Sequence, residues 1–166
     1  AVSGGQWMNS SLRSKIDDKS KISRYLILNT KALVTKTEAI DLLKLTFEQT
    51  RFDEKSRIME LLTQHKVQWQ SNILENGHHF AMQNASRAMS ALAQKNEENH
   101  GLAAFNHFQE LLDDISTHEH SYDAFVAELQ RLHQQLCHAK KQFLLVCETS
   151  QIDPLKQSIA TAWQTF

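Results

Sequence analysis

Glycine and proline are nearly missing from this sequence. Its 166 residues include four glycines and one proline, whereas an average chain of this length carries roughly twenty. Hairpins and β-sandwiches usually place Gly, Asn-Gly or Pro where the chain reverses, so the scarcity favours helices. It also leaves no GxGxxG or GxxxxGK[ST] motif, and therefore no glycine-rich loop for phosphate groups.

Apolar side chains recur at the three- and four-residue spacing of amphipathic helices. The first pattern extends from Ser10 to Phe47 with a heptad repeat, and predicts either one long helix or two helices that break at Thr35. The strongest pattern covers 122–147 and includes Leu129 and Leu136. Further helices are predicted at 58–73, 79–92, 105–115 and 155–166, the last with Leu155, Ile159, Trp163 and Phe166 on one face.

These patterns predict an all-α fold, an antiparallel helical bundle of four to six helices with no β-sheet. Residues 10–166 are expected to form a single domain, and residues 1–9 to be a disordered N-terminus or a remnant of expression. Gly77 and Gly101 are expected to end helices, and Pro154 to begin one. The best strand candidate, 143–147, continues the strongest helical pattern and is predicted to be buried helix.

The two cysteines, Cys137 and Cys147, are predicted to lie in one helix. Ten residues at 1.5 Å each would separate them by roughly 15 Å, too far for a disulfide bond. We interpret both as small apolar residues near a buried face. A chain without a disulfide framework suits a reducing compartment, so the predicted location is cytoplasmic, with a periplasmic or extracellular domain of a longer protein as the alternative.

The formal net charge of −1 conceals two oppositely charged regions. Residues 12–36 hold seven Lys or Arg against two Asp, whereas residues 97–128 hold eight Asp or Glu and no Lys or Arg. The simpler interpretation is that neighbouring helices attract each other through exposed ion pairs. The alternative is that one region recruits a charged partner. Nucleic acid is not expected, because the basic residues surround their helix and have only Tyr25 as an aromatic neighbour.

The acidic region also contains histidines, which raises the question of a metal site. Carboxylates and imidazoles spaced along one helix face can bind a divalent cation; the candidates are His107, Glu110 and Asp114, with His118 or His120. A di-iron bundle would need two E-x-x-H motifs on separate helices, and the motif from Glu75 to His78 has Gly77 inside it. We therefore predict no metal and no cofactor, and keep the metal site as an alternative.

Catalytic machinery is not apparent in the sequence. There is no G-x-S-x-G motif, and the paired carboxylates lie on strongly charged faces, where they would stay ionised and make poor general acids. We therefore expect no enzyme activity and assign no catalytic residues. A groove or small-molecule pocket could instead be lined by large side chains that we otherwise interpret as core: Trp69, Trp163, Tyr25, Met82 and Met89.

We accordingly expect a non-catalytic interaction module that binds a protein partner, or a second copy of itself, through a helix face. An adaptor, a secretion-related chaperone or effector, or a regulatory signalling domain would fit. The alternatives are a ligand-sensing helical-bundle domain of a bacterial membrane receptor, and a metal-binding bundle that uses residues 97–128. No apolar run in the chain is long enough to span a bilayer.

Overall fold

A computed structural model describes residues 3–33 and 35–163 of the protein. Helices account for most of these residues. Phe166, which was predicted to lie on the face of the last helix, is outside the described ranges, as are residues 1, 2 and 34. In chain order the elements are β1 (Gln6–Ser14), β2 (Ile22–Thr30), α1 (Glu38–Glu48), α2 (Lys55–Glu75), α3 (Gly77–Ser86), α4 (Ala91–His100), α5 (Leu102–Thr117), α6 (Glu119–His138), a single 3-10 turn (Thr149–Gln151) and α7 (Ile152–Trp163).

The prediction of an all-α bundle without a β-sheet is wrong, because β1 and β2 pair into a two-stranded antiparallel sheet. The Lys15 N–H donates to the Lys21 carbonyl at 3.0 Å near the turn. At the open end, the Gly4 N–H donates to the Lys31 carbonyl at 2.7 Å. The hairpin therefore replaces most of the helix predicted over 10–47, and it includes residues 6–9 of the stretch expected to be disordered.

The turn of this hairpin is made without glycine. One carboxylate oxygen of Asp18 accepts from the backbone N–H of Ser20 at 3.1 Å and from its hydroxyl at 2.6 Å. The Lys21 N–H also donates to the Asp18 carbonyl at 3.0 Å. Asp and Ser side chains can close a turn in this way, so a low glycine count does not exclude a hairpin.

The chain divides into two compact units. One contains residues 11–25 and 52–133, and is called the α2–α5 unit. The other contains the described residues of 1–10, 26–51 and 134–166, and is called the α1–α7 unit. The prediction that 10–166 form a single domain stays a prediction.

The α2–α5 unit has its hydrophobic core where α2, α5 and α6 meet. Leu112, Ile115 and Tyr122 are buried there, and Ile115 is only 2% exposed. The apolar spacing of α2 and α5 presents one stripe from each helix to this core. The half-buried residues packed around it are Ile58, Met59, Leu62, Leu111, Phe125 and Val126.

The α1–α7 unit is smaller and rests on the packing of α1 against α7. Its buried apolar side chains are Ala39 and Phe47 on α1 and Ile159 on α7. The Lys44 ammonium donates to the Ala162 carbonyl at 2.7 Å, which satisfies a carbonyl in the last turn of α7 that has no partner further along the helix.

Two helix boundaries differ from those predicted between residues 76 and 101. The helix predicted over 79–92 is two helices, because Ser90 starts a new one: its hydroxyl accepts from the Ala93 N–H at 3.0 Å, an N-cap. This break adds a helix that the sequence pattern did not separate. Gly77, which was expected to end a helix, is the first residue of α3. Gly101 lies between α4 and α5, as predicted.

The helix predicted from the strongest apolar pattern, 122–147, is wrong in its last third. Helix α6 ends at His138, and Phe143 and Val146 belong to an irregular segment that precedes the 3-10 turn. Cys137 and Cys147 are therefore not in one helix, and Cys147 is exposed. Leu136, chosen as a core residue of the seam, is 39% exposed.

Candidate protein-binding groove

An aromatic cluster joins α2 to α5 in the α2–α5 unit. The indole of Trp69 lies edge-on to Phe105, with ring centroids 5.5 Å apart at 64°, and 5.9 Å from Phe108. His65, one turn earlier on α2, lies 5.3 Å from Phe108 at 77°. These are favourable aromatic geometries. They arise because residues four apart on α2 and three apart on α5 share a face.

Above this cluster the two helices and the end of α4 leave an open groove of about 480 Å³. Its floor is apolar and includes Trp69, Phe108 and Leu111, and the small side chains of Ala103 and Ala104 leave the space unfilled. Its polar rim consists of Glu98, Asn99 and His107. An apolar floor with a few polar groups at its edge is the usual composition of a binding site.

The charge on the rim is fixed by neighbours on α4. Lys95 forms an ion pair with the Glu98 carboxylate, and this hydrogen bond, with a second from Gln94, lowers the pKa of Glu98 below its ordinary value. Asn99 accepts a hydrogen bond from Arg24 of β2 at 3.0 Å. The rim therefore presents an ionised carboxylate at neutral pH, beside an amide whose orientation is held by an arginine.

Behind the groove, a buried carboxyl group sets the spacing of α4 and α5. Glu97 is 6% exposed, and its Oε1 accepts from the Asn84 side chain of α3 at 3.1 Å. Its Oε2 has no hydrogen-bond partner in the part of the chain that the structure describes. The carboxyl group lies against Gly101 so closely that a Cβ at this position would overlap it. Because glycine has no side chain, residue 101 permits the tight turn from α4 into α5.

The histidine and carboxylate residues considered as a metal site do not converge. His107 Nδ1 lies 3.9 Å from Glu110, and His118 Nδ1 lies 3.0 Å from Asp114, as two separate and exposed pairs. His120 is an exposed residue at the start of α6. Among the described residues, no group of three or more His, Cys, Asp or Glu side chains is placed to hold a metal ion.

The acidic region 97–128 is partly neutralised by its own unit. Lys55 of α2 lies 3.4 Å from Glu119, and Lys66 of α2 lies 3.6 Å from Asp113. These ion pairs join helices of the unit, but their cations come from α2, so the attraction predicted between residues 12–36 and 97–128 stays a prediction. The carboxylates of Glu110 and Asp113 remain 80% and 75% exposed.

Of the large side chains that could have lined a groove, only Trp69 lines this one in the described residues. Tyr25, Met82 and Met89 are exposed, Met89 by 82%. Trp163 belongs to the α1–α7 unit, where it packs edge-on against Phe143 with ring centroids 5.8 Å apart. The sequence placed Phe105 and Phe108 on an amphipathic helix, but it could not show that Trp69 and His65 would meet them.

A second opening, of about 380 Å³, lies between α1 and α7. Its walls are mainly hydroxyl, amide and small side chains, with Asp41 as the only ionisable residue among those that line it in the described ranges. It has neither the aromatic floor nor the charged rim of the first, and we assign no function to it. None of the helices in the described ranges has both the length and the apolarity needed to cross a bilayer.

Comparison with known proteins adds one finding. Residues 1–111 match the family model described as Peptidase M-16C associated. The match covers two thirds of the chain and contains every residue that lines the α2–α5 groove. No curated protein and no solved structure matches the chain. The chain belongs to the peptidase M-16C associated family.

Proposed function

We propose that the protein is a non-catalytic module that binds a peptidase polypeptide of the M-16C class through the groove between α2 and α5. The observation that carries this proposal is the open aromatic floor of Trp69 and Phe108, which lies inside the stretch matched by the family model. The family description suggests the partner, and the groove offers a surface suited to hold it.

The groove has the features of a protein-binding hot spot. Interfaces draw most of their binding energy from a few large side chains in a partly closed pocket, surrounded by a polar rim. Here Trp69 and Phe108 are half-buried, so they are held in place by the unit and still offer a face to a partner. Because neighbouring rings already fix them, little side-chain entropy is lost when a partner binds.

The charge around the groove favours a partner segment that is apolar with a basic edge. Glu98 on the rim is ionised, and the exposed carboxylate of Glu110 follows on α5, one turn beyond His107. A Lys or Arg beside an apolar anchor would meet these carboxylates. Such rim contacts chiefly raise the rate of association and select the partner, while the apolar anchor provides most of the affinity.

Binding, and not catalysis, is the role that this chemistry favours. Of the ionisable rim groups, Glu98 is already engaged by Lys95 and His107 is 82% exposed. The hydrogen bond from Lys95 lowers the pKa of Glu98, further from the neutral range in which a general acid or base works best. No observation favours the receptor-sensor or metal-binding alternatives, which stay predictions.

The test is a binding measurement against a purified M-16C peptidase domain from the same source. Ala103 is an exposed groove residue, so Ala103→Trp should fill the groove and weaken binding by about tenfold or more without unfolding the protein. Ala127→Trp, on the exposed surface of α6 away from the groove, is the matched control and should bind like the wild type. No binding by the wild type, or equal binding by the two variants, would refute the proposal.

A further inference from the structure

The groove between α2 and α5 has helices as its walls, and this restricts the conformation of a segment that fills it. Its apolar lining includes Trp69 on α2 and Phe108 and Leu111 on α5. Backbone N–H and C=O groups of a helix point along its axis, so these walls offer no row of groups to pair with a strand. An extended chain on this floor would leave part of its own backbone without partners, which is costly. A helix satisfies its backbone internally and therefore fits the surface better.

The dimensions of the groove also suit a helix. Its lining on α5 extends from Ala103 to Leu111, which is roughly 12 Å along the axis at 1.5 Å per residue. This length is about two helical turns, over which a bound helix presents apolar side chains at positions i, i+3 or i+4, and i+7. The distance between packed helices depends on the side chains at the contact, so the methyl groups of Ala103 and Ala104 allow a close approach.

Negative charge lies along one side of the groove. On the side formed by α4 and α5, the carboxylates of Glu98, Glu110 and Asp114 are each at least 44% exposed. Lys95 balances Glu98 in part. On the other side, residues 67–74 of α2 include no charged side chain. A segment with complementary charge would therefore carry its basic residues on the flank that faces α5.

We propose that the groove binds an amphipathic helix of the partner, with an apolar face and a row of Lys or Arg along one flank. The apolar face covers Trp69 and Phe108, and the basic flank lies beside Glu110 and Asp114. Helix-in-groove binding of this kind takes its affinity from the apolar anchors, while the charges select the partner and its orientation. The inference rests on the proposed function for the identity of the partner, which is the peptidase.

The first test compares the affinities of three synthetic peptides of about 18 residues, long enough to form a helix. The first has Leu at helical spacing and Lys along one flank. The second keeps every Leu and Lys but has Pro at two central polar positions, which prevents the helix. The third has Glu in place of each Lys. By calorimetry the first should bind, and the others should bind at least about tenfold more weakly. No binding of the first peptide, or equal binding of either other peptide, would overturn the proposal.

The second test locates the bound peptide. Ala103→Trp should fill the groove and abolish binding of the first peptide. Glu110→Lys should weaken the first peptide by about fivefold and strengthen the third, because one exposed ion pair is lost or gained. Asp123→Lys is the matched control: it reverses an exposed carboxylate of α6 and should leave both affinities unchanged. Equal effects of the two charge reversals would reflect net charge alone and would exclude the proposed orientation.

Competition with the peptidase separates this inference from the proposed function. The first peptide should displace a bound peptidase domain, since both would occupy the same groove. Peptidase binding that Ala103→Trp weakens but the peptide does not displace would overturn helix recognition and leave the partner unchanged. Peptide binding without any peptidase binding would refute the partner and support helix recognition.

Discussion

The carboxyl group of Glu97 occupies the space that a side chain at Gly101 would need. The two residues are one helical turn apart, at the end of α4 and the start of α5, and both are buried. Gly101 has φ −80° and ψ −174°, an extended conformation that any residue adopts. Glycine is required here by the close approach of Glu97 and not by an unusual backbone.

Gly101→Ala should therefore destabilise the protein by about 1–3 kcal/mol, because the new methyl group must displace a buried carboxyl group. In a Glu97→Ala background the same substitution should cost less than half as much, since the obstructing group is gone. Urea unfolding followed by far-UV circular dichroism would measure both costs. Gly77→Ala is the control: nothing lies within 4 Å of its Cβ position, and it should be neutral or slightly stabilising. An equal cost in both backgrounds would contradict the steric explanation.

The sequence predicted the main core along the seam at 122–147, whereas the structure has it at the junction of α2, α5 and α6. Ile115 is 2% exposed, so Ile115→Ala should lower the free energy of unfolding by about 2–5 kcal/mol. Leu136 is 39% exposed, and Leu136→Ala should lower it by less than about 1.5 kcal/mol. Chemical denaturation of the two variants compares them directly. A larger loss for Leu136 would mean that the seam predicted from the sequence is the true core.

Helical periodicity predicted a helix correctly where a single apolar stripe packs against one neighbouring helix. Helix α5 was recognised because Phe105, Leu112 and Ile115 recur at helical spacing, and all three are buried. Periodicity predicted only part of the groove floor. Periodicity identifies a face, but which faces meet, and that Ala103 and Ala104 leave a gap between them, depends on packing between distant segments.

The same periodicity failed where sequence spacing agreed with a helix by coincidence. Leu12, Ile22 and Leu26 fit a helical stripe, yet they lie in β1 and β2. The deciding signal was the turn at Asp18 and Ser20, which closes the hairpin through side-chain hydrogen bonds. Strand pairing also gains its stability from cross-strand partners, which the periodicity within one segment does not report.

The hairpin turn should depend on pH through Asp18. Hydrogen bonds from Ser20, then Lys21, lower the pKa of Asp18 below its ordinary value of 3.8. A lowered pKa means that the stabilisation is complete above the ordinary value and is lost as the pH falls through the lower, folded value. Titration of the Asp18 carboxyl carbon by NMR should show this. Ser20→Ala removes the hydroxyl donor and should raise the pKa; an unchanged titration curve would refute the assignment.

The two cysteines should differ sharply in their reaction with a thiol reagent. Burial, and next the nearby charge of Glu48, raise the pKa of the Cys137 thiol above its ordinary value of 9.0, whereas Cys147 is exposed. Because the thiolate is the reactive form, modification by Ellman's reagent at mildly alkaline pH should proceed in two phases. Cys147→Ser should abolish the fast phase and Cys137→Ser the slow one, and Glu48→Gln should accelerate the slow phase. Unfolding in urea should merge the phases; a single phase in the folded wild type would show that Cys137 is as accessible as Cys147.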